Sequence, residues 1–255
     1  METADLVGTL RAEGELLARA ADSAGPDAAV PTCPGWAVRD LVAHVGGVHR
    51  WAAGYVAGST RPRPRRPVAP ADEELVGWFR DGHRALADAL AAAPEDLECW
   101  TFLPAPSPLA FWARRQAHET TVHRVDAESA LGTPPGSAAS APVAPEFALD
   151  GIDELLRGFH TRNRSKVRSA TPRTVLLRPT DDALAGRGRL LRLSAGPLVT
   201  EDVAAGDAVD ADCTLHGPAE ALYLTLWNRP PPADRIRLTG DARVMEAWRE
   251  TSAIG

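Results

Sequence analysis

Ala117-His118-Glu119-Thr120-Thr121-Val122-His123-Arg124-Val125-Asp126 decides how this chain is read. Glu119 and His123 stand four residues apart, and a helix returns close to the same face after four residues. A carboxylate and an imidazole so spaced can grip one divalent cation. A third ligand is available upstream, in Asp40-Leu41-Val42-Ala43-His44. Two imidazoles and one carboxylate leave a coordination position open, as catalytic zinc sites require.

Helical geometry sorts the neighbours of this pair. At about 100° per residue, Trp112, Gln116, Glu119, His123 and Asp126 fall along one stripe of a helix. A polar stripe headed by a tryptophan is expected to face a core, where unpaired polar groups are costly. The stripe therefore predicts either a metal or a Glu–His hydrogen bond without one. His118 lies five residues before His123, a step that turns the two imidazoles about 140° apart, so a zinc-peptidase reading fails. His44 and His49 are separated by the same step, and only one is expected to point inward. His44 falls near Leu41, Val48 and Trp51 and is chosen; His49, beside Arg50, is expected to face water. His83, His160 and His216 are isolated and read as structural or surface histidines. Asp126 can orient an imidazole, or pair with a nearby arginine. Arg114, Arg115 and Arg124 flank the ligand pair and can bind an anionic substrate group, although surface solvation explains any one of them better.

Working outward, this segment belongs to the fourth of four helices. The first is predicted over residues 4–22 and stops at Gly25-Pro26; the second covers 36–55, the third 72–93. The fourth begins after Ser107-Pro108, an N-cap followed by proline at the first helical position, and ends near Leu131. Arg61-Pro62-Arg63-Pro64-Arg65-Arg66-Pro67 is an extended loop, since proline is excluded from helix interiors. Four helices with short to medium connections predict an antiparallel bundle. Residues 132–145, rich in Gly, Pro, Ser and Ala, read as a linker between a domain of residues 1–140 and another of 146–255. There a helix over 149–160 precedes strands at 174–178, 189–194, 197–201, 213–216 and 235–239, with helices at 218–227 and 242–250. This mixture predicts a small α+β domain.

Bulk properties narrow the function classes. The formal net charge of −6 argues against a general nucleic-acid binder, which carries a basic surface. No apolar run approaches the ~20 residues of a bilayer span, and the acidic start Met1-Glu2-Thr3-Ala4-Asp5 is not a signal peptide, so a cytoplasmic location is expected. Cys33, Cys99 and Cys213 form neither a CxxC pair nor a disulfide framework and read as ordinary buried thiols.

The same residues carry a resemblance. Pro34-Gly35-Trp36-Ala37-Val38-Arg39-Asp40-Leu41-Val42-Ala43-His44, followed by His118-Glu119-Thr120-Thr121-Val122-His123-Arg124-Val125-Asp126-Ala127-Glu128, resembles the mycothiol-dependent maleylpyruvate isomerase family. The two runs are similar to the metal-binding helices of its DinB-like four-helix bundle, the second led by Arg114 or Arg115. Leu224-Thr225-Leu226-Trp227-Asn228-Arg229-Pro230 and Leu238-Thr239-Gly240-Asp241-Ala242 are similar to its C-terminal domain, which is α+β and sterol-carrier-protein-like.

The resemblance implies that His44, Glu119 and His123 hold Zn²⁺ or another divalent metal, with mycothiol as thiol co-substrate. It further implies an electrophilic small molecule as acceptor, and an isomerase or S-transferase, with maleylpyruvate-type isomerisation as a special case. Arg229 matches an arginine of the C-terminal domain implicated in activity. Two other classes stay open: a non-catalytic metal-binding or regulatory module, and a bundle that binds no metal and serves as an interaction scaffold.

Overall fold

A computed structural model describes residues 1–58 and 67–254. The arginine–proline loop expected from Arg61 falls, up to Arg66, outside the described residues. The chain forms two compact units, Met1–Thr133 and Pro134–Gly255. Among the described residues no helix is long and apolar enough to cross a membrane.

The first unit is built of α1 (Thr3–Ala24), α2 (Val38–Val56), α3 (Asp72–Ala92) and α4 (Pro108–Ser129). These are the four helices predicted, and local chemistry sets their ends. Gly25 takes a positive φ of 80° to close α1, a conformation glycine adopts without steric cost. Asp40 receives the Ala37 amide at 2.9 Å and caps α2. Ser107 Oγ receives the Ala110 amide at 3.1 Å, with Pro108 in the first turn of α4. Between α1 and α2 the chain makes a tight loop, joined by Val30 N to Trp36 O and Val38 N to Ala28 O, both at 2.9 Å.

α4 sits at the centre, in contact with α1, α2 and α3. Besides Trp112, Ala113, Ala117, Val122 and Val125 it buries Arg115, Gln116, His118, Thr120, Thr121, Arg124 and Asp126. Buried polar groups need partners, and much of the packing around α4 supplies them. Arg124 Nε donates to Glu13 of α1 at 2.7 Å and Nη1 to Glu128 at 2.9 Å. The sequence reading of Arg124 and Arg115 as solvated surface charges is therefore overturned; both are buried, because α4 is covered on nearly every side.

His49 is a second correction. It was expected to face water and is fully buried. Helix α2 lies against both α3 and α4, so two of its faces point inward and the five-residue step from His44 lands on the second. Thr120 Oγ donates to Gln116 O at 2.7 Å, so the 2.9 Å contact with His49 Nε2 is a donation from the ring. That places a proton on Nε2 of His49. Burial, aided by the neighbouring His83, holds its pKa well below 6.5.

In the second unit α5 (Pro145–Asp153) runs into a π-helical turn (Glu154–Phe159). Five strands follow: β1 (Arg173–Pro179), β2 (Gly188–Leu193), β3 (Val199–Val203), β4 (Cys213–Gly217) and β5 (Arg237–Gly240). Helix α6 (Ala219–Leu226) lies between β4 and β5 in sequence, and α7 (Arg243–Thr251) ends the unit. The sheet order is β3-β2-β1-β4-β5, with β1 and β4 parallel and the other pairs antiparallel. The expected α+β mixture is thus a single mixed sheet with helices. Residues ahead of α5 pack within this unit: Val143 N donates to Glu220 of α6 at 3.0 Å, and Gly136 O accepts from Arg235.

His160 closes the π-helical turn and is buried against Trp248, with ring centroids 5.1 Å apart. Burial, followed by the charge of Arg168, lowers its pKa from 6.5 to about 4. The folded state refuses a proton that the unfolded chain accepts. Its contribution is therefore complete above pH 6.5 and is lost as pH falls from 6.5 to about 4. At about 1.4 kcal/mol per pH unit, that window corresponds to about 3 kcal/mol. Thermal melts of the wild type over this range are expected to show the loss, and His160→Gln to flatten it. An unchanged pH slope in the variant would refute the assignment.

Candidate metal centre

Helix α2 brings His44, and α4 brings Glu119 and His123, to one point: one ligand atom from each lies within 4.8 Å of the other two. Glu119 Oε1 is the hub, 3.3 Å from His44 Nε2 and 3.4 Å from His123 Nε2. Bonds of about 2.0–2.1 Å to a tetrahedral zinc ion would place ligand atoms about 3.4 Å apart along each edge. The donor types and two of the three edges thus fit such an ion. All three side chains retain some exposure, 27% for His44 and 20% for Glu119, so the point is reachable from solvent.

Each ligand is held from behind. Arg115 Nη2 reaches the other oxygen of Glu119, Oε2, at 3.2 Å, one turn back along α4. Asp126 Oδ2 lies 2.8 Å from His123 Nδ1. Since a carboxylate only accepts, that ring nitrogen carries the proton and directs Nε2 to Glu119, the orienting role that metal-bound histidines require. Of the two roles open to Asp126 in the sequence, the structure shows the contact with the imidazole. Cys33 Sγ donates to the same Oδ2 at 3.3 Å, and Thr32 and Ser129 share a hydroxyl contact at 3.1 Å. These contacts fasten the α1–α2 loop to the end of α4. The loop in turn lays Trp36 beside both imidazoles, 5.1 Å from His44 and 6.4 Å from His123, nearly parallel to the latter.

Charge follows from this geometry. Burial alone would raise the pKa of Glu119, but hydrogen bonds from His123 and His44, and the nearby charges of His123 and Arg115, hold it well below the usual carboxylate range. Burial opposes protonation of His123, yet Asp126, Cys33 and Glu119 together push its pKa well above 6.5. Without a cation, His123 is an imidazolium between two carboxylates.

Spacing pointed to His44, Glu119 and His123, and the fold brings all three together. His118 is fully buried and joins neither set of possible ligands. Arg229 belongs to the second unit, in the turn after α6. Cys33 and Trp36 were missed: Cys33 was read as an ordinary buried thiol, but it is half-buried and bonded to Asp126. The only signal in the sequence is that both sit in the Pro-Gly turn just ahead of the α2 ligand. Cys33, His123 and Asp126 form a second possible ligand set. Asp126 there is fully buried, whereas the His44–Glu119–His123 point meets solvent, as an ion with an open position needs.

The sequence profile of the mycothiol maleylpyruvate isomerase N-terminal domain matches residues 7–128, and that of the MDMPI C-terminal domain matches residues 146–247. Two solved structures are similar over most of the chain. One is mycothiol-dependent maleylpyruvate isomerase, 14% identical, with a TM-score of 0.56, covering 94% of this chain and 93% of that one. The other is a histidine-to-alanine mutant of mycothiol-dependent maleylpyruvate isomerase, with the same identity and coverage and a TM-score of 0.54. At this identity the likeness speaks to the fold. No curated protein sequence matches the chain.

Three outcomes test the centre. Metal uptake must strip the proton from His123, so zinc affinity is expected to rise with pH. Calorimetry in buffers of different ionisation enthalpy should find about one proton released per ion; none released would refute the imidazolium. Asp126→Asn, which removes the charge behind His123, is expected to weaken zinc roughly 10- to 100-fold. In the Co²⁺ form no sulfur-to-metal charge-transfer band is expected, and one that disappears in Cys33→Ser would move the ion to the Cys33 set.

Proposed function

Because the chain belongs to the mycothiol-dependent maleylpyruvate isomerase family, we propose that it is a zinc-dependent enzyme using mycothiol on a small electrophile. The observation that carries this reading is the convergence of His44, Glu119 and His123 on one solvent-reachable point. The matching profile spans all three residues. The donor set suits Zn²⁺, although histidine and carboxylate ligands accept other first-row metals. A divalent cation held there would favour the thiolate of a bound thiol, whose free pKa is about 8.5.

The chain's own residues prepare the site. Asp126 fixes the tautomer of His123 so that Nε2 faces inward. Arg115 holds Glu119 by Oε2 and leaves Oε1 directed to the imidazoles. Trp36 forms an apolar wall beside both rings, restricting water on that side. Arg229 is proposed to bind a carboxylate of a dicarboxylic acceptor, as a guanidinium does best.

Two chemistries are compatible with these parts. The thiolate sulfur adds to a conjugated double bond, the former double bond rotates as a single bond, and elimination regenerates thiol and isomerised product; this is maleylpyruvate-type isomerisation. In S-transfer the sulfur conjugate leaves and the thiol is consumed. The acidic chain, with a formal net charge of −6, suits a cytoplasmic enzyme acting on small molecules, where the thiol stays reduced.

Purified protein with mycothiol and maleylpyruvate is expected to produce the trans isomer without net loss of thiol. A panel of other electrophiles would reveal S-transfer as one thiol lost per conjugate. Activity is expected to vanish on chelation and in His44→Ala, and chelated wild type should recover with added Zn²⁺. Full turnover by metal-free protein would refute the proposal.

A further inference from the structure

Cys33-Pro34-Gly35-Trp36 is a β-turn with both of its ends on the metal centre. Trp36 N donates to Cys33 O at 3.0 Å, which closes the turn. Proline in the second position and a glycine with φ of 84° in the third are the marks of type II. The residue that enters the turn, Cys33, donates to Asp126 behind His123 at 3.3 Å. The residue that leaves it, Trp36, lays its indole 5.1 Å from the His44 ring and 6.4 Å from that of His123, 15° from parallel to the latter.

Val30 N also donates to Trp36 O, at 2.9 Å. The backbone of Trp36 is therefore bonded through both its N–H and its carbonyl, and the ring is set before any ligand arrives. Trp36 is half-buried rather than sealed in the core, beside a metal point that solvent also reaches. A sulfur nucleophile approaches a conjugated carbon along the normal to its plane, from about 3–3.5 Å. The acceptor shows one flat face to the sulfur, and its opposite face needs a neighbour. Indole is the largest flat apolar surface a side chain offers, and it packs on another π-system more favourably than burial of area alone accounts for.

We propose that Trp36 is a specificity-determining residue that stacks on the planar, conjugated body of the acceptor, held in place for it by the Cys33–Trp36 turn. The substrate class is thus planar conjugated electrophiles rather than flexible saturated ones. This deepens the reading of the chain as a zinc- and thiol-dependent enzyme and rests on it.

The test is calorimetric titration of the zinc-loaded full chain, without thiol, with sorbate and with hexanoate, alongside thermal melts. Both probes carry one carboxylate on a carbon chain of equal length, and only sorbate is flat and conjugated. Wild type is expected to bind sorbate roughly three- to tenfold tighter. Trp36→Leu should lose that preference while its zinc affinity stays at the wild-type level, and Trp36→Phe should keep most of the preference. Gly35→Ala strains only the turn, because a methyl group there meets nothing within 4 Å, and should lower the preference while sparing zinc. Equal binding of the two acids by wild type, or a preference that survives in Trp36→Leu, overturns the role of Trp36 and leaves the metal centre standing. So does a loss of zinc affinity in Trp36→Leu and Trp36→Phe alike, since the indole then merely supports the imidazoles. Where Trp36→Leu does not fold, Gly35→Ala decides, and an unchanged preference there overturns the proposal. If wild type takes up no zinc, the enzymatic reading itself fails and this inference with it.

Discussion

One carboxylate oxygen shared by two imidazoles organises the first unit. Glu119 Oε1 lies within 3.4 Å of His44 and of His123, so α2 and α4 cannot slide or rotate against each other without breaking a charged contact. Two rings directed at one partly buried anion form either a strong hydrogen-bonded cluster or a cation site. The same geometry serves both, with the cation taking the place of the proton on His123.

That hub needs a polar helix in the middle of a bundle, and the fold accommodates it by pairing charge with charge. Arg115, Arg124 and Asp126 are all buried, yet each meets an opposite charge or a protonated ring. Removing one member of such a pair would leave an uncompensated buried charge, which is far costlier than the pair is favourable. The packing around α4 is therefore specific in register as well as in composition. The α1–α2 loop is part of the arrangement, because Cys33 and Thr32 fasten it to α4 and thereby carry Trp36 to the imidazoles.

The second unit follows a different logic. Its apolar residues line a mixed sheet in which β1 and β4, parallel to each other, are separated in sequence by the β2–β3 hairpin. Helix α6 ends in a turn whose pivot, Asn228, takes a left-handed φ of 61°.

Much of this was legible in the linear chain. Helix periodicity, the Ser107-Pro108 start, the Gly25 stop and the alternation to short strands all follow from local sterics and hydrogen bonding, which act over a few residues. The Glu119–His123 pair was legible for the same reason, since four residues along a helix is a local distance. Three things were decided only by tertiary structure. His49 and Arg124 are buried because neighbouring helices cover faces that look polar in isolation. Cys33 meets Asp126, 93 positions further along the chain, a distance no periodicity encodes. The parallel pairing of β1 and β4 uses the edge of β1 opposite β2, a choice set by the sheet as a whole. The sequence by itself determines which groups share a face of one element; only packing determines which faces meet, because that depends on surfaces contributed by residues far away in the chain.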